Sequence, residues 1–156
     1  MPRAFIGIGS NLGDREAALD LARHELDRLS GTRVTGWSRV YETDPVGPVP
    51  QDPFLNAAAE LETALEPEHL LNGLAAIETK AGREPEAQRI HWGPRPLDLD
   101  LLLYDDLVID GPGLVIPHPR MAERDFVLRP LANLDPEVVH PVLRRTVRAL
   151  LAELGA

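Results

Sequence analysis

The chain of 156 residues contains no cysteine, which excludes a disulfide framework, a thiolate metal site and a cysteine nucleophile. Aromatic residues make up only 4% of the sequence, so the position of each one carries information. No apolar run reaches the roughly 7–15 residues of a secretory signal or the roughly 20 residues of a membrane-spanning helix. The sequence therefore predicts a soluble, cytoplasmic protein.

Positive charge is also scarce, because 16 Lys and Arg residues stand against 25 Asp and Glu residues, a net charge of −9. Such a chain lacks the diffuse positive field that non-specific binding to nucleic acid or to an anionic membrane requires. We expect neither partner, and we expect the positive side chains to act locally. With 44% apolar residues, the length corresponds to a single domain over residues 1–156.

The hydrophobic pattern indicates an alternation of strands and helices. Helices are expected after an N-cap at Asp14 and from Pro67 at a first helical turn. Strands are expected at 4–9, 33–41, 54–63 and 97–104. The order strand, helix, strand, strand, helix, strand favours an α+β, ferredoxin-like fold. Its mainly antiparallel sheet would have helices packed on it in three α-β-α layers.

Two long loops separate these elements, one over 42–53 with four prolines and one over 82–96 rich in charge of both signs. After the strand 97–104, we expect a turn at Asp105 and Asp106 and a return through 107–109. Short helices are expected near 120–124 and over 146–154.

Asp98 and Asp100 are the most informative pair of residues. On a strand they point to the same face, separated by roughly 7 Å, while Leu99 points into the core. Two carboxylates held side by side favour a divalent cation such as Mg²⁺, which binds one or two carboxylates together with substrate phosphates. A polar face on an edge strand would need no ligand. The spacing alone leaves both interpretations open.

Three arginines in or beside the preceding loop strengthen the first interpretation: Arg83, Arg89 and Arg95. Guanidinium groups bind phosphate in a bidentate manner, and together with an acidic pair they suit metal-assisted phosphoryl transfer. The alternative is that these arginines form solvated ion pairs with neighbouring glutamates and aspartates.

Two further segments are ambiguous. The glycines of 7–13 follow a strand but match neither the P-loop nor the dinucleotide-binding spacing, so they are interpreted as a structural turn. His118 lies between Pro117 and Pro119, where it could donate to a phosphate or cap a short helix.

Two of the three phenylalanines, Phe54 and Phe126, could flank a flat ligand or pack in the core. Asn56 shares a strand face with Phe54 and offers the donor and acceptor that a heterocyclic amide requires. By themselves, residues of these types more often lie in a core or a turn than in a ligand site.

Taken together, the segments 6–13, 41–45, 54–58, 77–78, 82–83, 92–100, 115–121 and 123–131 resemble the 6-hydroxymethyl-7,8-dihydropterin pyrophosphokinase family of folate biosynthesis. The most specific parts are Trp-Gly-Pro-Arg-Pro-Leu-Asp-Leu-Asp over 92–100 and Pro-His-Pro-Arg-Met over 117–121.

This resemblance implies transfer of diphosphate from ATP, the co-substrate, to the pterin hydroxymethyl group, with release of AMP. Asp98 and Asp100 would hold two Mg²⁺ ions, and Arg83 and Arg95 would be the catalytic residues that stabilise charge as the pterin oxygen attacks the β-phosphorus. The residues implied in ATP binding are Glu78, Leu101, His118 and Arg124. Those implied in binding the pterin are Thr43, Asp44, Val46, Phe54, Asn56, Trp92 and Phe126. We expect a monomer or weak dimer.

The stretch 83–91 departs from the family pattern, since it begins with acidic residues and is slightly long. Whether Arg89 or His91 supplies a phosphate contact is open, and Ala75 stands where the family often has glutamine. The competing interpretation is a non-catalytic, ferredoxin-like ligand-binding module. It accounts for the fold but gives no reason for the acidic pair and the arginines to converge.

Overall fold

The computed structural model describes residues 1–44, 47–82 and 96–155. The first half contains β1 (Arg3–Ser10), α1 (Arg15–Arg28), β2 (Thr32–Trp37), β3 (Tyr41–Thr43), β4 (Phe54–Thr63) and α2 (Pro67–Lys80). The second half contains β5 (Asp98–Tyr104), β6 (Ile109–Gly111), β7 (Leu114–Ile116), a 3₁₀ helix (Met121–Glu123), α3 (Asp125–Leu134) and α4 (Val147–Glu153).

The main sheet has the strand order β2-β4-β1-β5, and the short β3 also pairs with β4. Every pairing in it is antiparallel. The connection through α1 crosses β4, and the connection through α2 crosses β1, so two split β-α-β units interlock. This is the ferredoxin-like arrangement expected from the order of elements, and that prediction is confirmed.

The two faces of the sheet carry separate cores because side chains alternate along each strand. On β1, Ala4, Ile6 and Ile8 pack against α1 and α2. Phe5 points the other way, into a second core formed with α3 and α4. The three α-β-α layers are therefore present as predicted. None of the helices in the described ranges is long and apolar enough to cross a membrane.

The starts of α1 and α2 follow the sequence signals. Asp14 caps α1 by accepting a hydrogen bond from the Ala17 N–H at 3.0 Å. Pro67 occupies the first turn of α2, where its missing N–H costs no hydrogen bond. Helical spacing predicts one apolar stripe per helix, and most of its members are buried: Leu19, Ala22 and Leu26 in α1, and Leu70, Leu74 and Ile77 in α2. The last member of each predicted stripe, Leu29 and Ala81, follows the end of its helix and is half-buried.

The single strand predicted over 33–41 is wrong. β2 ends at Trp37, β3 begins at Tyr41, and the pairing with β4 shifts between Val34 and Gly36. That shift breaks the strict alternation of faces that the prediction assumed, and Val40 is 48% exposed. At the break, Ser38 donates its N–H to the Ala58 carbonyl at 2.9 Å. Its Oγ also accepts from the Ala58 N–H at 2.8 Å, so a side chain completes the sheet there.

The region after β5 also differs from prediction. The turn predicted at Asp105 and Asp106 is present, but the return predicted over 107–109 is wrong, because β6 begins at Ile109 and pairs with β7 in a separate two-stranded sheet. The short helix near 120–124 is present as the 3₁₀ helix, but α3 was not predicted because Pro130 lies within it. Proline removes one helical hydrogen bond, but Leu128 and Leu131 are fully buried against the sheet and hold the helix in place.

Ser38→Ala is expected to lower the free energy of unfolding by about 1–3 kcal/mol, because the Ala58 N–H would be left buried without an acceptor. Denaturant unfolding monitored by circular dichroism measures this loss. Thr35→Val is the control, since it removes an exposed hydroxyl that donates to Glu60 while keeping the β-branched shape. It should change stability by less than about 0.5 kcal/mol. Equal losses in the two variants would contradict the assignment.

Candidate active site

The floor of the site is formed by the three central strands. Gly9 on β1 lies level with Asn56 on β4 and Asp98 on β5. Two residues earlier, Gly7 lies level with Ala58 and Asp100. Residues directly opposite one another in an antiparallel sheet project to the same face, so these groups share the face opposite α1 and α2. The glycines have no side chains, which leaves open space between the asparagine and the carboxylates.

The segment that leads into α3 encloses this space as a cavity of about 330 Å³. The residues that line it are Gly7, Ile8, Gly9, Asp44, Phe54, Asn56, Ala57, Asp98, Asp100, Arg120, Glu123, Arg124, Phe126 and Val127. The sequence had singled out seven of these as site residues: Asp44, Phe54, Asn56, Asp98, Asp100, Arg124 and Phe126. The structure brings them together in one pocket.

Asn56 is held in a fixed orientation at one end of the pocket. It is buried, and its Nδ2 donates to Thr43 Oγ1 at 2.5 Å across the β3–β4 pair. Its Oδ1 lies on the side of Gly9, 3.3 Å from where a Cβ of that residue would stand. Thr43 therefore orients the amide, and the amide oxygen borders the space above Gly9.

Aromatic rings from two elements line the same pocket. Phe54 comes from the start of β4 and Phe126 from the first turn of α3. The guanidinium carbon of Arg124 lies 5.7 Å from the centre of the Phe126 ring, which is a cation–π distance. The guanidinium of Arg124 thus lies over the Phe126 ring on one wall of the pocket.

Asp98 and Asp100 occupy the expected face of β5, and Leu99 between them is buried in the core with α1 and α2. Both carboxylates are partly exposed to the cavity. Within the described ranges, no group of three His, Asp or Glu residues forms a complete metal cage. Two carboxylates beside open space fit Mg²⁺, whose remaining ligands are water or substrate oxygens.

The outer edge of β5 lies beside this pocket and carries the other predicted nucleotide-binding residues. Glu78, near the end of α2, accepts a hydrogen bond from the Leu99 N–H at 2.8 Å. The backbone of Leu101, two residues further, also faces away from β1. The His118 N–H then donates to the Leu102 carbonyl at 2.9 Å. Glu78, Leu101 and His118 therefore follow one strand edge rather than the cavity wall.

His118 is positioned as a neutral donor. Its Nδ1 accepts a hydrogen bond from the Arg120 N–H at 3.2 Å, which leaves the proton of a neutral ring on Nε2. Burial lowers the pKa of His118, and the charges of Arg124 and Arg120 lower it further, while Asp98 opposes them. Three charged residues around the pocket thus act on this one ring.

The ends of both long loops are attached to the end of β1. Ser10 Oγ donates to the Pro96 carbonyl at 2.6 Å. The buried Asn11 donates from Nδ2 to Gln51 Oε1 at 2.6 Å and to the Asp52 carbonyl at 3.0 Å. The segment 7–13 therefore has the structural role that its sequence indicated.

That interpretation was incomplete, because Gly7 and Gly9 also form the floor of the pocket. Arg120 and Glu123 line the pocket as well but were not among the predicted site residues. Arg120 belongs to the Pro-His-Pro-Arg segment, so its position in the sequence was the available signal. Val46, Arg83, Trp92 and Arg95, together with Arg89 and His91, lie outside the described residues.

The pocket combines an acidic pair, two arginines, two phenylalanines and an oriented amide. Such a set suits a small ligand with a flat polar ring and a charged group, so fold and site define a small-molecule enzyme built on a ferredoxin-like sheet.

The family model described as 7,8-dihydro-6-hydroxymethylpterin-pyrophosphokinase (HPPK) matches residues 5–136. This chain is 47% and 41% identical to the proteins named 2-amino-4-hydroxy-6-hydroxymethyldihydropteridine pyrophosphokinase from Bacillus subtilis and Pseudomonas aeruginosa, respectively. These alignments cover 86% and 96% of this chain and 79% and 91% of those proteins. The chain therefore belongs to the 6-hydroxymethyl-7,8-dihydropterin pyrophosphokinase family and is an ATP-dependent diphosphotransferase.

The crystal structure of Plasmodium falciparum HPPK-DHPS shares the fold, with a TM-score of 0.76 at 17% identity. The match covers 97% of this chain, which spans 44% of the length of that longer chain. At this identity the likeness concerns the fold alone.

The charges around His118 give a testable pair of shifts. Arg124→Gln should raise the pKa of His118, because a positive charge that opposes protonation is removed. Asp98→Asn should lower it, because a favourable negative charge is lost. NMR titration of the His118 ring resonances in each variant and in the wild type measures both shifts. Shifts of the same sign in the two variants would contradict this geometry.

Proposed function

We propose that this enzyme transfers diphosphate from ATP to the hydroxymethyl group of 6-hydroxymethyl-7,8-dihydropterin in folate biosynthesis. The products would be AMP and the pterin diphosphate. The observation that carries the proposal is the row of Asn56, Gly9 and Asp98 across the sheet. In this row, the Asn56 amide can form hydrogen bonds with a pterin and the Asp98 carboxylate can bind a cation that contacts a phosphate chain. The space above Gly9 separates the two groups.

The pterin ring would lie above Gly9, between Phe54 and Phe126. Asn56 supports this placement because its amide is held by Thr43 and its oxygen borders the same space. A pterin presents donors and acceptors along one edge, which an oriented amide can match. Asp44 lines the same pocket and would complete the polar contacts, while Val46 and Trp92 are proposed here from the family resemblance.

ATP would occupy the adjoining edge of β5. The backbone of Leu101 offers a donor and an acceptor for the adenine, between Glu78 and His118, which already contact this edge. His118 would donate from Nε2, since Nδ1 is engaged by the Arg120 N–H. Arg124 faces the cavity and would bind phosphate oxygens. The nucleotide would therefore extend from the strand edge into the pocket.

Asp98 and Asp100 are proposed to hold two Mg²⁺ ions, which supply positive charge to the phosphates when bound. The pterin hydroxyl oxygen would attack the β-phosphorus in line with the departing oxygen of AMP. The new bond joins the pterin hydroxyl oxygen to the β-phosphorus. The bond between the β-phosphorus and the oxygen that bridges it to the α-phosphorus breaks, and the hydroxyl proton is released. Arg83 and Arg95 are proposed, by family resemblance, to stabilise the charge that develops.

Both substrates are small polar molecules, and the net charge of −9 favours neither nucleic acid nor an anionic membrane as a partner. We propose that the enzyme works in the cytoplasm as a monomer or weak dimer.

Product analysis with ATP, Mg²⁺ and 6-hydroxymethyl-7,8-dihydropterin tests the activity directly. We expect AMP and the pterin diphosphate in equal amounts. Asp100→Ala should reduce the rate at least a hundredfold, because charge stabilisation on the phosphates is lost. Asp106→Ala, in an exposed turn, is the matched control and should retain the rate.

Formation of ADP instead of AMP would indicate an ordinary kinase. ATP binding without any nucleotide product would favour the non-catalytic module. A normal rate and metal dependence in Asp100→Ala would remove the assignment of that residue.

Gly9→Ala should weaken pterin binding about tenfold or more, since its Cβ would stand 3.3 Å from Asn56 Oδ1 and 3.4 Å from Phe54 Cδ1. ATP affinity should be nearly unchanged. Calorimetric titration with each ligand measures both affinities. Gly7→Ala is the comparison variant for the pterin, because its added Cβ would stand at an ordinary contact distance, 3.4 Å, from Leu102 Cδ1. An equal loss of pterin affinity in both variants would place the ring elsewhere.

A further inference from the structure

Arg120 lines the cavity together with Asp98, Asp100 and Arg124. Its side chain has no role in the function proposed above or among the residues that the family resemblance implies. It directly precedes the 3₁₀ helix, in the layer that covers the sheet. Its main chain is fixed at two points: its N–H donates to His118 Nδ1 at 3.2 Å, and its carbonyl accepts from the Glu123 N–H at 3.1 Å. The side chain therefore starts from a defined position.

The guanidinium of Arg120 is exposed and makes no ion pair with a carboxylate anywhere in the described ranges. This is notable because Asp98, Asp100 and Glu123 line the same cavity. Nearby on α3, Arg129 pairs with Asp125 at 3.4 Å, as a surface arginine commonly does. The side chain of Arg120 lines the cavity, and its charge also lowers the pKa of the neighbouring His118.

A pterin ring carries no negative charge that would attract an arginine, whereas a phosphate chain presents oxygen pairs that match a guanidinium fork. The acidic pair lies on the floor of the cavity, and Arg120 and Arg124 come from the covering layer. A phosphate chain between them would have positive charge on its covering side as well as cations held on the floor. Arg124 alone would supply that charge at one point only.

We propose that Arg120 is a further phosphate-binding residue of this enzyme and contacts the β- or γ-phosphate of ATP. The inference rests on the proposed function, because it assumes that ATP occupies this cavity. It assigns Arg120 to the part of the nucleotide beyond AMP.

The test compares the affinities of Arg120→Gln, Arg120→Lys and the wild type for ATP, AMP and 6-hydroxymethyl-7,8-dihydropterin, by calorimetric titration with Mg²⁺. Arg120→Gln should weaken ATP binding about tenfold or more, the effect of losing a charged hydrogen bond. AMP and pterin affinities should change less than about threefold. Arg120→Lys should recover part of the ATP affinity, because it keeps the charge but loses the fork. Arg129→Gln, on the exposed face of α3, is the matched control and should bind all three ligands normally.

Unchanged ATP affinity in Arg120→Gln would overturn the inference, and so would equal losses for ATP and AMP, which would place Arg120 outside the β- and γ-phosphate contacts. Circular dichroism of each variant separates loss of binding from loss of folding, and Arg120→Lys preserves a test if the glutamine variant is unstable.

Wild-type product analysis separates this inference from the proposed function. A wild type that forms AMP, with Arg120→Gln binding ATP normally, refutes only the role of Arg120. A wild type that forms no AMP, with selective ATP loss in Arg120→Gln, refutes only the proposed reaction.

Discussion

The whole site depends on one register, in which β1 lies antiparallel between β4 and β5 with Gly9 level with Asn56 and Asp98. Because side chains alternate along a strand, a slip of one residue would turn the carboxylates into the apolar core. Burial of Ile6 and Ile8 against α1 and α2 opposes such a slip. The polar groups of the pocket are therefore positioned by apolar contacts on the other side of the sheet.

In the layer that covers the sheet, apolar packing also positions the side chains that line the cavity. The segment from the 3₁₀ helix into α3 buries Met121 and Leu128 in the second core, while its intervening residues Arg124 and Phe126 face the cavity. A positive charge and an aromatic ring that line the cavity are thus attached to elements packed in the second core. Preorganisation of this kind reduces the conformational freedom that would be lost when substrates bind.

Sequence periodicity was sufficient for elements with a regular apolar repeat, such as α1, α2 and β4, and it placed Asp98 and Asp100 on one face. Periodicity failed at two places where a local interaction changes the regular pattern. Ser38 completes the sheet across the gap between β2 and β3. Buried leucines stabilise α3 although it contains Pro130. The pocket glycines could not be recognised from spacing, since their contribution is the absence of a side chain. Glu78 and His118 meet at one strand edge through the tertiary fold, so the expectation that both bind the nucleotide came from the family resemblance and not from their spacing.

The outer edge of β5 has a consequence for solubility. An open strand edge is a template for pairing with another chain, and proteins usually block it with charge or a covering segment. Here Glu78 accepts from the Leu99 N–H and the Leu102 carbonyl accepts from the His118 N–H. Within the described residues, a short stretch around Leu101 lies between these two contacts. The gap that we propose admits an adenine is thus too short to template a foreign strand. The residues proposed to frame the nucleotide therefore also cover this strand edge.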